Sequence, residues 1–185
     1  ELGDTVCVIG HGPIGLMLTR LAVLKGARAI VVGRNPFKLA KARHFGADEL
    51  VDITAVSDPV QAVRGLTPGG RGVDVAIEAV GTPETWEQAI AMARPGGLVN
   101  LFGGCKSGTH IQVDTRRLHY EELEIIGVFH HTPRYVRAAL SLIASGQIDA
   151  DALITHQMPL NRLEEALHLV DSGAALKVAI IPGLG

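Results

Sequence analysis

Val6-Cys7-Val8-Ile9-Gly10-His11-Gly12-Pro13-Ile14-Gly15 runs from a short apolar segment through the spacing G-x-G-x-x-G into an apolar, helix-forming stretch. Strand, glycine turn and helix in that order form a cradle for a dinucleotide pyrophosphate. The first glycine permits the tight turn, the second lets a ligand approach the backbone, and the third allows close helix–strand packing. The N–H groups at a helix start have no partner inside the helix and face the phosphates. Gly10, Gly12, Pro13 and Ile14 are therefore candidate cofactor contacts, and His11 either approaches a phosphate or stays in solvent. The plain alternative, a glycine-rich turn without a ligand, fits the flanking strand and helix less well.

Beyond the turn, Ile14, Met17, Leu18, Leu21 and Ala22 recur at helical spacing and predict one apolar face, ended by Gly26. Residues 29–32 are a continuous apolar run, and Asn35-Pro36 supplies a cap and a first-turn proline for a helix ending near Gly46. Strands follow at 50–53, 73–78, 98–102 and 123–128. Between them lie helices at 59–66 and from Pro83, the latter with Trp86, Ala89, Ile90 and Ala93 on its inner face and Pro95-Gly96-Gly97 as its stop. A further helix from Pro133 turns Val136, Ala139, Leu140 and Ile143 inward. Strands apolar on both faces and alternating with helices predict an α/β fold, a doubly wound six-stranded parallel sheet.

The domain expected for this unit is 1–147. Residues 148–185 read as a strand–helix–strand tail whose last strand, 177–181, needs a partner that the main sheet does not offer. The tail is expected to pack on, or complete, a catalytic domain outside the chain. The start at Glu1, without Met and only a few residues before the first strand, raises the same expectation of a piece of a longer enzyme.

The 185 residues carry a formal net charge of −2, which favours neither a nucleic-acid nor an anionic-membrane partner. No apolar run approaches the roughly 20 residues that span a bilayer, and the first residues lack signal-peptide character. Cys7 and Cys105 stand far apart without a C-x-x-C or a zinc-type Cys/His spacing and read as free thiols. A soluble, cytoplasmic protein with a small-molecule ligand is the expectation.

Ligands of such sheets lie at the carboxyl ends of the strands. An NAD site places Asp or Glu about 20 residues past the glycines, on the ribose hydroxyls. Here that position is Gly33, no acid occurs between Asp4 and Asp48, and Arg34, Asn35 and Lys38 stand at or just past the strand end. Arginine beside a phosphate predicts NADP in preference to NAD; the alternative is a solvated Arg34 and a permissive adenosine site. His130-His131 reads as a pair of loop residues near the cofactor, with no metal. Glu78 reads as a cleft lining or a solvated strand end without a catalytic role, and Trp86 as core.

With these residues in hand, the chain resembles the coenzyme-binding (Rossmann) domain of zinc-type medium-chain alcohol and polyol dehydrogenases. The likeness rests on the glycine turn through Leu16, Phe45-Gly46-Ala47-Asp48, the segment 72–81, Arg94-Pro95-Gly96-Gly97, and Ala175-Leu176-Lys177-Val178. It implies hydride transfer between NAD(P) and an alcohol, polyol or ketone, with zinc held only by the catalytic domain and no catalytic residue in this chain. It also implies cofactor contacts from Val80, Gly81 and Thr82, and from Gly103, Val128 and Phe129 near the nicotinamide. A homodimer or homotetramer through the coenzyme domain is implied as well, with 110–113 as a candidate sheet edge. His11 stands where the family often has a small residue, and Gly33 where its NAD-dependent members usually have an acid. Residues 116–122 lean toward the sugar and polyol branch. A short-chain reductase is excluded, because Tyr120 and Tyr135 have Glu124 and Ala139, not Lys, four residues later. A dinucleotide-sensing module without catalysis remains the competing expectation.

Overall fold

The computed structural model describes residues 2–183 and divides into two compact units, Glu1–His130 and His131–Gly185. The first contains strands β1 (Thr5–Ile9), β2 (Arg28–Gly33), β3 (Glu49–Asp52), β4 (Val73–Glu78), β5 (Ala93–Leu101) and β6 (Glu124–Gly127). All neighbours are parallel, in the order β3-β2-β1-β4-β5-β6, so the unit is the expected Rossmann-like sheet. Its helices are α1 (Pro13–Leu24), α2 (Pro36–His44), α3 (Pro59–Gly65), α4 (Pro83–Met92) and α5 (Thr115–Tyr120).

Both faces of the central strands are covered, as a parallel sheet requires. Cys7 and Ile9 of β1 join Ile30, Val32, Ala76 and Val99 in one core, while Val6 and Val8 pack with Ala22 and Leu18 on the other side. Burial pushes the Cys7 thiol up to about 12, and its Sγ donates to Met92 Sδ at 3.8 Å, so this cysteine is an inert core residue. At the amino end of the sheet Asp74 ties three segments together. It accepts the Thr5 N–H at 2.8 Å, Arg94 Nε at 2.6 Å and Arg71 Nη2 at 3.1 Å.

Most helix starts follow the sequence signals. Asn35 accepts from Lys38 N, Asp58 from Val60 N and Gln61 N, and Thr82 forms a capping box with Thr85, each ahead of a first-turn proline. Two expectations for this unit change. The strand foreseen at 98–102 begins earlier: Ala93, assigned above to a helix face, is the buried first residue of β5. Pairing runs Val73 to Ala93 and then Val75 to Leu98, so Pro95-Gly96-Gly97 is a bulge inside the strand, with Gly96 at φ +67. The expected edge strand at 110–113 is not a strand. Ile111 and Val113 pack on the core instead, and the Gln112 N–H donates to Glu87 Oε1 at 2.9 Å.

The second unit holds α6 (Pro133–Ala144), β7 (Ile154–Met158), α7 (Leu163–Asp171) and β8 (Lys177–Ile180). β8 pairs in parallel with β7, with α7 as the crossover, so the closing strand finds its partner in its own unit. The division between the two units precedes α6. α6 has no buried residue, and Val136, Leu140 and Ile143, expected to face inward, are exposed. A two-stranded pair buries Leu153, Met158, Ala166 and Leu176 but is too small to cover a second amphipathic helix.

Candidate functional site

The order in which strands are added reverses at β1: β2 lies on one side of it and β4 on the other. Loops leaving β1 and β4 therefore splay apart and open a crevice at the carboxyl ends of the strands. The glycine turn sits at that opening. Gly10 has φ +117, and a Cβ there would lie 3.0 Å from Ala79 O, while its N–H donates to Val32 O at 3.0 Å. A Cβ on Gly15 would stand 2.0 Å from Gly10 O, so the third glycine is required for the turn to rest on α1. Gly12 differs from both. A Cβ there would meet nothing within 4 Å, and α1 begins without any side-chain cap, with Pro13 in its first turn and Ile14 46 % exposed. The start of α1 is thus open to an anion, in contrast to the side-chain-capped α2, α3 and α4.

A cavity of about 360 Å³ lies beside this turn, lined by His11, Gly33, Arg34, Ile53 and Val80 together with the first turn of α4, including Thr82. His11 Nε2 accepts the Asn35 N–H at 3.0 Å, which holds the ring across Gly33. Burial lowers the pKa of His11 below its ordinary value, and the charges of Lys38 and Arg34 lower it further, against a smaller opposing effect of Asp52. The ring is therefore a neutral acceptor at physiological pH. Lys38 belongs to the first turn of α2, and Asn35 caps that helix.

The opposite end of the crevice is a cavity of about 600 Å³ between the exits of β5 and β6, lined by Trp86, Gly103, Gly104, Cys105, Val128 and Phe129. Phe129 is 88 % exposed, and its ring lies 4.0 Å from that of His130, a residue with φ +67. Under the floor of this end sits Glu78, fully buried. Its Oε1 accepts from Val80 N at 2.7 Å, Gly81 N at 2.8 Å and Thr85 Oγ1 at 2.8 Å, while Oε2 has no hydrogen-bond partner. Neither alternative read from the sequence describes it: Glu78 is not solvated and lines neither cavity, but fastens the 80–82 loop to the start of α4. A Cβ on Gly103 would lie 2.6 Å from Glu78 Oε2 and 2.5 Å from Gly81 N, and one on Gly81 2.5 Å from Gly104 O. Trp86 packs on the core as expected, and its Nε1 also donates to Gly103 O at 2.8 Å. An acid two residues ahead of a Val-Gly-Thr-Pro helix start is the signal that points to such a fastening.

Of the sequence-chosen residues, Gly10, His11, Gly33, Arg34, Val80 and Thr82 meet at the first cavity, and Gly103, Val128 and Phe129 at the second. Gly81 joins the two loops, Gly12, Pro13 and Ile14 form the helix start, and Asn35 and Lys38 stand behind His11. A sequence model of zinc-binding dehydrogenases matches residues 13–145. The chain belongs to the zinc-binding dehydrogenase family. It is 36 % identical over 186 residues to an alcohol dehydrogenase of Cupriavidus necator, covering 98 % of this chain and 50 % of that protein. It is 31 % identical to a sorbitol dehydrogenase of Bacillus subtilis, covering 97 % of this chain and 51 % of the other. Among solved structures, a zinc-binding dehydrogenase from Sinorhizobium meliloti 1021 bound to NADP superposes with a TM-score of 0.87 at 33 % identity, over 98 % of this chain and 53 % of that one. The chain spans about half the length of the curated relatives it matches. Zinc is named in the family, but the described residues contain no group of three or more His, Cys, Asp or Glu able to hold a metal ion. No helix among them is long and apolar enough to cross a membrane.

Proposed function

We propose that this chain is the cofactor-binding portion of an NAD(P)-dependent dehydrogenase acting on an alcohol or polyol, with NADP preferred to NAD. The observation that carries it is the opening at Gly12: a Cβ-free position facing empty space, directly ahead of an uncapped helix, at the switch point of a parallel sheet. Those features suit a pyrophosphate. The S. meliloti relative that holds NADP has the same fold, and the C. necator and B. subtilis relatives are named for alcohol and sorbitol oxidation.

In this reading the Gly10–Ile14 turn holds the pyrophosphate and Arg34 faces the 2′-phosphate, with Lys38 adding positive charge. Val80, Gly81 and Thr82, fixed from below by Glu78, order the middle of the cofactor. Gly103, Val128 and Phe129 border the nicotinamide end, where small residues and backbone let a flat ring lie close. The bound nicotinamide supplies the hydride chemistry. The relatives run to about twice the length matched here, and in this reading a zinc site and most of the substrate pocket belong to a part of the protein outside this chain.

The test is oxidation of a panel of alcohols and polyols by the intact protein, followed through the absorbance of the reduced nicotinamide. Turnover of a polyol with NADP is expected. Tight dinucleotide binding with no turnover of any alcohol would instead establish a sensing module.

A further inference from the structure

We propose that His11 is a cofactor-selecting residue. Its imidazole, seated across Gly33, fills the space from which a carboxylate at position 33 would reach the adenosine ribose, and so keeps an acid from standing next to Arg34. This assignment rests on the dinucleotide site proposed above and adds a residue to it. Gly33 does not need to be glycine for its own backbone, which lies outside the left-handed region. What excludes a side chain is the ring: a Cβ at 33 would lie 2.5 Å from His11 Cγ, 2.7 Å from Cδ2 and 2.8 Å from Nδ1.

The ring cannot simply swing aside without loss, because Nε2 accepts the Asn35 N–H at 3.0 Å at the start of α2. An acid at 33 therefore needs two changes, removal of the imidazole and introduction of the carboxylate. Either one alone leaves the site without a working acid. The charged groups around His11 come from every side of the cavity. Arg34 and Lys38 flank it from the β2 exit and α2, and Asp52 faces it from the end of β3. Glu84 lines the same cavity from α4. The Asp52 carboxylate is held by Thr54 through one oxygen, Oδ1, which accepts the Thr54 N–H at 2.9 Å and Oγ1 at 2.7 Å. Burial together with Lys38 and Arg34 keeps the imidazole neutral, which matches its role as acceptor. A phosphate dianion placed beside Arg34 opposes the lowering by the two cations and shifts the ring's pKa upward.

The experiment is a double-mutant cycle on the intact protein: wild type, His11→Ala, Gly33→Asp and the double variant, with dissociation constants for NADH and NADPH. Gly33→Asp alone is expected to change NADH affinity less than about threefold, and the double variant to gain about tenfold or more, the size of one charge-assisted hydrogen bond. Equal gains in NADH affinity for the single and double variants would overturn the role of His11. The wild-type constants judge the underlying site separately: failure to bind either dinucleotide removes the site, and tighter NADH removes the NADP preference, whatever the variants do. Should Gly33→Asp not fold, a proton NMR titration of wild-type His11 decides. Its pKa is expected to rise more with 2′,5′-ADP than with 5′-AMP, whose phosphate meets only the glycine turn, and equal shifts with the two would place His11 away from the 2′-phosphate and contradict the proposal.

Discussion

The two ends of β4 each bury a carboxylate, and they are not equivalent. Asp74, at the amino end, uses both oxygens, on the Thr5 N–H, Arg71 and Arg94. Glu78, at the carboxyl end, uses one oxygen to fasten the 80–82 loop and leaves the other unpartnered under Gly103. The amino end is tied off. The carboxyl end is built from glycines, an uncapped helix start and half-satisfied groups, the condition of a surface arranged to meet a ligand rather than to maximise stability.

That contrast breaks most visibly at Asp74. Replacing it by Ala strands the Thr5 N–H and takes the carboxylate from a part-buried Arg94, and about 2–3 kcal/mol of stability is expected to be lost in denaturant unfolding. Dinucleotide affinity should stay unchanged, and a parallel loss of binding would show that the two ends are coupled. Arg34→Ala is the converse case. It should weaken NADPH binding by about ten- to a hundredfold, equivalent to roughly 1.5–3 kcal/mol, with little effect on NADH or on melting temperature.

Glu78→Gln sits between them. The amide retains an acceptor for Val80 N and Gly81 N, so a loss of about 1 kcal/mol is expected, accompanied by weaker binding of both dinucleotides alike. A change confined to NADPH would show that Glu78 acts at the adenosine end instead.

The smallest effects come from pH. Although burial pushes the Asp74 carboxyl up, the Thr5 N–H and the Arg94 and Arg71 guanidiniums together hold it below its ordinary value. Its contribution is present above the unfolded carboxylate value near 3.9 and is lost as pH falls through the lower folded one. The pKa of His11 is also lowered, so its neutral ring favours the folded state above the ordinary value near 6.5, and that contribution fades as pH falls through the lower folded value. A urea midpoint series from pH 8 to pH 5 should therefore decline gently in wild type and stay flatter in His11→Ala.

Much of this was legible in the sequence because local chemistry decided it. G-x-G-x-x-G fixed the turn, Asn35-Pro36 and Thr82-Pro83 fixed two helix starts, and runs apolar on both faces implied the parallel sheet. The bulge in β5 was not legible, since Pro95-Gly96-Gly97 is equally a helix stop, and only the pairing of Val73 with Ala93 reveals that the strand continues through it. Residues 110–113 alternate like an edge strand, yet the core takes Ile111 and Val113. The exposed face of α6 has helical periodicity, which reports amphipathicity but not what covers it. In the site, the missing acid drew attention to Arg34, which lines the first cavity. The pairing of His11 with Gly33 and the burial of Glu78 required three-dimensional neighbours that lie 22 and 25 residues away in sequence, at Gly33 and Gly103.

The most direct test of the central claim, that the carboxyl end of this sheet holds a 2′-phosphorylated dinucleotide, is calorimetric titration of the intact protein with NADPH and NADH under one set of conditions. One site is predicted, with NADPH bound about ten- to a hundredfold more tightly. Heat from neither cofactor, or tighter binding of NADH, would contradict it.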